Sequence, residues 1–339
     1  MWRASQLTLP LQNWEQTLWS LQYIMQEDAE RRFVFGFSIE NTTMRVWFAS
    51  RSEVLVSFPF NFITVSHLCA GFLLRILTTT QDYERTATFF LRLMYAKEVQ
   101  LGWDTTMKRL SPRDQLGNVQ YEILCDGVWY KTVRLISDVG AEALRGRGTR
   151  VWEVNEIRAD KTIDPTPRAL KDSWVDASRE REAVILQTIR KDAMSIEGPA
   201  MFEFDDYFMK IKAFGDVAIG GVVDDTHALI RCGRTLENMA KEPLMIRSTT
   251  TKRRAKYDSK GPLGPTGAIK LPDEYMEKAL EYDAKIHHRV VFAEVGVTVT
   301  EINTLSGALL ALSDAMKGNS YIFRSSCVTE YSVRSFRPP

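Results

Sequence analysis

Between Arg32 and Phe58 apolar residues alternate with others at a period of two in three short runs: Phe33, Phe35, Phe37 and Ile39; Met44, Val46 and Phe48; Val54, Val56 and Phe58. That period places the apolar side chains of each run on one face of a strand. Asn41-Thr42 and Ser50-Arg51-Ser52 separate the runs, and connections so short leave no room for a crossover helix. The pattern therefore predicts an antiparallel meander with one buried face. Helices are expected near 62–77 and 85–96. A second hairpin is expected over Tyr121–Cys125 and Val128–Val133, because Asp126-Gly127 supplies the positive-φ residues of a two-residue turn. These elements make an α+β accessory domain at 31–137, after an amino-terminal helical segment at 1–30. Trp47, Trp103 and Trp129 are expected in its core rather than in a binding groove.

Composition narrows the partners. With 44 Lys and Arg against 43 Asp and Glu, the chain has a net charge of +1 and no field to draw it onto nucleic acid or an anionic membrane, so neither is expected as a partner. The apolar run from Phe62 to Leu77 carries Ser66, His67 and Arg75, which fits a buried helix better than a membrane span. Cys69, Cys125, Cys232 and Cys327 stand apart without a CxxC pair, which fits neither zinc nor a disulfide framework. No metal site is expected. Reduced thiols and the absence of a continuous apolar run at the amino end point to an intracellular protein, in cytoplasm or nucleus. The segment 247–271, rich in Gly, Pro, Lys and Arg, is expected to be a mobile insertion.

The chemistry concentrates after Arg145-Gly146-Arg147-Gly148-Thr149-Arg150. Glycines let the backbone approach phosphates and aim its N–H groups at them, although a plain hairpin turn uses the same residues. One strand and a Pro-containing turn later comes Arg168-Ala169-Leu170-Lys171. Period two sets Ala169 and Lys171 on one face, a small residue that leaves space for a flat ring beside an ammonium that reaches phosphates. A helix is expected from about Ser178, as N-cap, to Lys191, with Ile185, Leu186 and Ile189 on one face. Glu182 shares that face, whereas Glu180 projects elsewhere. A carboxylate on an apolar stripe requires a partner, and Lys171 is the natural one. Taken singly, Lys171 reads as a solvated strand end and Glu182 as an acid bonded to Arg179 or Arg181. Taken in order and register, they point to a nucleotide site.

RGRGTRVWEV, ALKDSW, REREAVIL and HHRVVFAEVG together resemble the amino-terminal lobe of the fungal-type protein kinase family. The upstream RRFVFGFSIENTTMRVWFASRS and VQLGWDTT are similar to the region that precedes that lobe, so the resemblance runs from about Arg31 to Lys317. It implies a fold of class α+β, in which an antiparallel-sheet domain precedes a kinase small lobe, a twisted antiparallel sheet with its C-helix, which with the start of the large lobe occupies 138–317. It implies ATP with Mg²⁺ as cofactor and a protein as phosphoacceptor. Lys171 then contacts the α- and β-phosphates and pairs with Glu182, Gly146 and Gly148 cover the phosphates, and Val151 roofs the adenine beside Ala169. The Glu294 carbonyl and the Gly296 amide become the adenine's backbone partners. The sequence departs from the family at Val151, which stands where a third glycine is expected. Leu305–Lys317 resembles the helix before the catalytic loop, and there the resemblance stops. No His-Arg-Asp loop, metal-binding Asn or Asp-x-Gly follows, so no catalytic Asp is assigned and the large lobe is essentially absent. His288-Arg289-Val290 lacks the Asp and precedes the hinge, and Asp138-Val139-Gly140 precedes the glycines. A divergent tail occupies 318–339. The expected function is that of a serine/threonine kinase fragment without turnover, or alternatively a nucleotide-binding pseudokinase or scaffold.

Overall fold

Trp14, Leu18, Leu21 and Met25 recur at the three- and four-residue spacing of one helical face, and they lie on α1 (Leu11–Glu27). Leu18, Leu21 and Met25 are buried with Val34, Trp47 and Ala49 of the strands that follow. Each such side chain removed from water contributes about 1.5–3 kcal/mol. In this computed structural model the described residues are 11–63, 76–113, 117–197, 207–233, 282–297 and 301–324. Among them the structure is α+β, with antiparallel sheets, and the chain divides into two units.

The first unit holds α1 and the expected meander, β1 (Phe33–Glu40), β2 (Thr43–Ser50) and β3 (Val54–Val56), with a two-residue β4 (Phe60–Asn61) also paired to β2. But α1 packs on the face of Val34, Trp47 and Ala49, so Phe37 and Ile39 of the expected buried face are exposed. Asn41, at φ 54°, makes the tight turn between β1 and β2. Next comes α2 (Ile76–Tyr95), so the expected helix at 62–77 lies mostly outside the described residues. A 3₁₀ helix over Glu98–Leu101 closes the unit, and Gly102 O accepts from Arg32 N at 2.8 Å. Trp47 is fully buried, but Trp103 and Trp129 are not core residues. Their rings instead lie under cations, Arg31 at 3.5 Å from the Trp103 centroid and Lys108 at 4.0 Å from that of Trp129.

The second unit is built on a seven-stranded antiparallel sheet comprising β5 (Met107–Leu110), β6 (Gln120–Cys125), β7 (Val128–Ser137), β8 (Arg150–Ile157), β9 (Arg168–Asp176), β10 (Ile211–Asp216) and β13 (Lys285–Phe292). Their order across the sheet is β10-β13-β9-β8-β7-β6-β5. The position expected to end the first domain, Ser137, is the last residue of β7 and is paired with Val151 of β8, so this sheet continues across it. The expected Asp126-Gly127 turn forms, at φ 49° and 76°. Two register shifts between β7 and β8 bend the sheet, and Arg289 of β13 reaches the Leu124 carbonyl of β6, 2.8 Å from its Nη1. A small hairpin, β11 (Ala218–Ile219) with β12 (Val222–Val223), follows β10.

Helix α3 (Glu182–Glu197) covers one face of the sheet through Ala183, which is fully buried with Ala169, Val290 and Phe292. The helix begins at Glu182 and not after a Ser178 cap. Arg179 N donates back to Asp176 O at 2.9 Å in a turn, and the first helical bond runs from Ile185 N to Arg181 O at 3.0 Å. The last helix, α4 (Leu305–Arg324), runs past Lys317 into the segment expected to diverge. The expected insertion at 247–271 lies outside the described residues.

Candidate functional site

Antiparallel register decides which side chains share a face, because directly paired residues point to the same side. Lys171 of β9 is paired with Val151 of β8 and with Val290 of β13, and Ala169 is paired with Phe292. Val151, Ala169, Lys171 and Phe292 therefore stand on one face, the face that α3 covers. Lys171 Nζ and Glu182 Oε2 form an ion pair across the gap between strand and helix. Both side chains are partly exposed, 23% and 42%, so the pair contributes only about 0–1 kcal/mol to stability and its worth is positional.

The arginines that offered alternative partners for Glu182 are engaged elsewhere. Arg179 pairs with Asp176 at 3.1 Å, and Arg181 holds Asp216 through two bonds of 2.9 and 3.2 Å. His288 Nδ1 lies 2.8 Å from the same Asp216 carboxylate. Burial pushes the Asp216 carboxyl up, but the hydrogen bonds from His288 and Arg181 prevail and hold it down at about 2. This chain, from β13 through β10 to the residue before Glu182, ties the first turn of α3 to the sheet and presents Glu182 to Lys171.

Gly146 and Gly148 enter β8 with φ values of 146° and 53°, conformations that a side chain disfavours. Between them the Arg147 carbonyl accepts from Trp174 N of β9 at 2.7 Å, so the glycine segment runs beside the strand that carries Lys171. Glu294 and Gly296 follow β13, one strand away from Lys171. Ala293 N donates to Lys210 O at 2.8 Å and Lys210 N donates to Glu294 Oε2 at 2.8 Å, which fixes the chain as it leaves the sheet. The Glu294 side chain thus turns to Lys210. Gly296 is exposed, with open space where a Cβ would stand.

The opposite face of the same strands carries a group that sequence reading missed. Arg289, with no exposed surface, donates to Asp172 from Nε at 2.7 Å, to Asp104 from Nη2 at 2.5 Å and to Thr106 Oγ1 from Nη1 at 2.7 Å. His287 lies between Asp172 at 2.8 Å and Asp224 at 3.1 Å, its ring stacked on Trp174 at 4.6 Å. Burial opposes protonation of His287, but Asp172 and Asp224 outweigh it and raise the imidazole to about 9. Burial likewise opposes ionisation of Asp172, yet His287 and Arg289 hold it well below the usual carboxylate range. The available signal was three successive ionisable residues, His287, His288 and Arg289, running into the apolar Val290-Val291-Phe292 of one strand, which demands buried counter-charges.

Among the described residues no group of three or more His, Cys, Asp or Glu is placed to hold a metal ion, and no helix is long and apolar enough to cross a membrane. Cys125 is a buried free thiol, pushed up to about 12 by burial, and Cys232 is free and exposed. A groove of about 1100 Å³ lies in the first unit, lined by Phe35, Arg85, Phe89 and Arg92 among others, and it contains none of the residues with nucleotide-site chemistry.

No curated protein and no solved structure matches the chain. The sequence profile described as fungal protein kinase matches residues 4–328, nearly the whole chain. With a lysine and a glutamate joined across strand and helix, and a match of that extent, the chain belongs to the fungal protein kinase family.

Proposed function

We propose that the second unit is a kinase small lobe whose Lys171 face binds ATP, the nucleotide-holding half of a serine/threonine protein kinase. The observation that carries this reading is the Lys171–Glu182 pair on the face that also bears Val151 and Ala169. Counted from the strand that leads into the glycine segment, Lys171 lies on the third strand and Glu182 on the helix after it, the order of parts that protein kinases use.

Each residue then has one task. Lys171 holds the α- and β-phosphates, and Glu182 keeps its ammonium aimed at them. The backbone of Gly146 and Gly148 approaches the phosphates, Val151 and Ala169 flank the adenine, and the Glu294 carbonyl and Gly296 amide hydrogen-bond its edge. Kinases of this kind use ATP with Mg²⁺. The described residues offer no cluster of ligands for the ion, which would arrive on the nucleotide.

Phosphoryl transfer depends on positioning and charge stabilisation, so a Lys–Glu pair without catalytic Asp or metal ligands turns over no substrate. After Gly296 the sequence contains no His-Arg-Asp and no Asp-x-Gly. A second reading, a nucleotide-binding scaffold, draws support from α4, where Leu305, Leu309, Leu310, Leu312 and Met316 are all exposed. Both readings share the nucleotide site. ATP with Mg²⁺ should raise the melting temperature of the wild-type chain and leave a Lys171→Met variant unmoved. Absence of a wild-type shift at millimolar ATP removes the site. Transfer of labelled phosphate above the Lys171→Met background refutes the absence of turnover.

A further inference from the structure

Leu144 is two residues before Gly146 yet belongs to a different core. Residues 143–145 group with the amino-terminal unit, while Asp104–Glu142 before them and Gly146–Gly233 after them form part of the second unit. Leu144 is 2% exposed and sits in the cluster of Leu18, Leu21, Met25, Val34, Trp47 and Ala49. The carbonyl before it, of Ala143, accepts from Arg51 Nη1 at 2.6 Å, and Nη2 of the same guanidinium donates to the Met25 carbonyl at 3.1 Å. Arg51 is itself 1% exposed, so water competes little for these bonds. Three residues past Leu144, the Arg147 carbonyl accepts from Trp174 N of β9. Gly146 therefore lies between a residue buried in a core, Leu144, and one bonded to β9, Arg147.

A loop joining two paired strands is ordinarily fixed at its ends and free at its tip. This one has its tip residue buried. We propose that the buried anchor of Leu144 and Arg51 is the positioning element of the glycine segment: it sets the order of residues 146–149, and thereby the affinity of the site for ATP. The inference rests on the nucleotide-site reading above. Two glycines make the segment costly to order, and only the fraction of molecules already in the binding conformation contributes to affinity. Coupling of this kind is reciprocal, so bound ATP also steadies the core that holds Leu144.

The test uses the full chain, ATP with Mg²⁺ as probe, and three variants: Leu144→Ala, Leu144→Met, and a Gly-Ser insertion after Arg145 that leaves every core residue in place. Hydrogen exchange of amides 146–149 is read without nucleotide, and Kd is read by calorimetry. Leu144→Ala and the insertion should both speed exchange and raise the Kd about tenfold, within the usual range of coupling between sites. Leu144→Met should behave as wild type. An insertion variant with wild-type Kd overturns the coupling while leaving the nucleotide site intact. An intact chain that binds no ATP overturns the nucleotide site itself and the inference with it.

Discussion

The stability of the wild type should decline between pH 6 and pH 8.5, and replacing His287 by Gln should flatten that decline. His287 is 3% exposed, and the groups that face it are Asp172 from β9, Asp224 from the segment after β12, Asp104 at 3.9 Å, and Arg289 from its own strand. The carboxylates raise the imidazole to about 9, against about 6.5 in an unfolded chain. Between those values the folded state binds a proton that the unfolded state has released. The contribution is therefore complete below pH 6.5 and is lost as pH rises through 9. Up to pH 8.5 the loss spans about 2 units, or about 2–3 kcal/mol. For a domain of roughly 150–250 residues that is a fall of about 4–12 °C in Tm. The scan ends there because Cys125, raised to about 12 by burial, adds a loss of the same sign above the ordinary thiol range. Thermal melts of both chains across this range provide the assay. The variant starts lower, having lost a cation from among three buried carboxylates, so the slope is the test. Parallel Tm profiles for wild type and His287→Gln would refute the assignment of this proton to His287.

Two further substitutions probe the frame around the site. Gly102→Ala places a Cβ 2.1 Å from the Phe33 carbonyl at a φ of 95°, and the first unit should lose at least about 3 kcal/mol, read as a lower urea midpoint with unchanged slope. Arg289→Met removes the guanidinium from Asp104 and Asp172, leaving His287 as the cation among three buried carboxylates, and should destabilise the second unit by about 3–5 kcal/mol at neutral pH, measured by the same unfolding.

Whatever repeats with a fixed period was legible in the sequence. The alternation at Phe33, Phe35 and Phe37 placed β1 but not its buried face, which depends on where α1 packs, and Asp126-Gly127 placed the hairpin of β6 and β7, because turn φ is a local property. The face shared by Ala169 and Lys171, and the choice of Glu182 over Glu180, rested on the same kind of reasoning and agree with the pairing observed. The helix start was missed because a Ser at an expected cap competes with an Asp176–Arg179 turn that only the sheet's end defines. The buried group of Asp104, Asp172, Asp224, His287 and Arg289 was missed for a different reason. Its members come from four separate stretches of chain, and sheet curvature, which no local pattern encodes, brings them together.

Alternation of side chains across the sheet explains how one strand serves two tasks. Along β9, odd positions carry Ala169 and Lys171 toward α3, while even positions carry Asp172 and Trp174 toward the buried charges. A one-residue slip of β9 would exchange the two sets, placing Lys171 among carboxylates and Asp172 beside Glu182. An Asp facing Glu182 repels it, and an Asp172 withdrawn from Arg289 and His287 leaves buried cations uncompensated. Both faces thus penalise the same error. The buried charges, which touch none of the residues assigned to ATP, are on this view what holds Lys171 in register opposite Val151 and Val290, and so opposite Glu182.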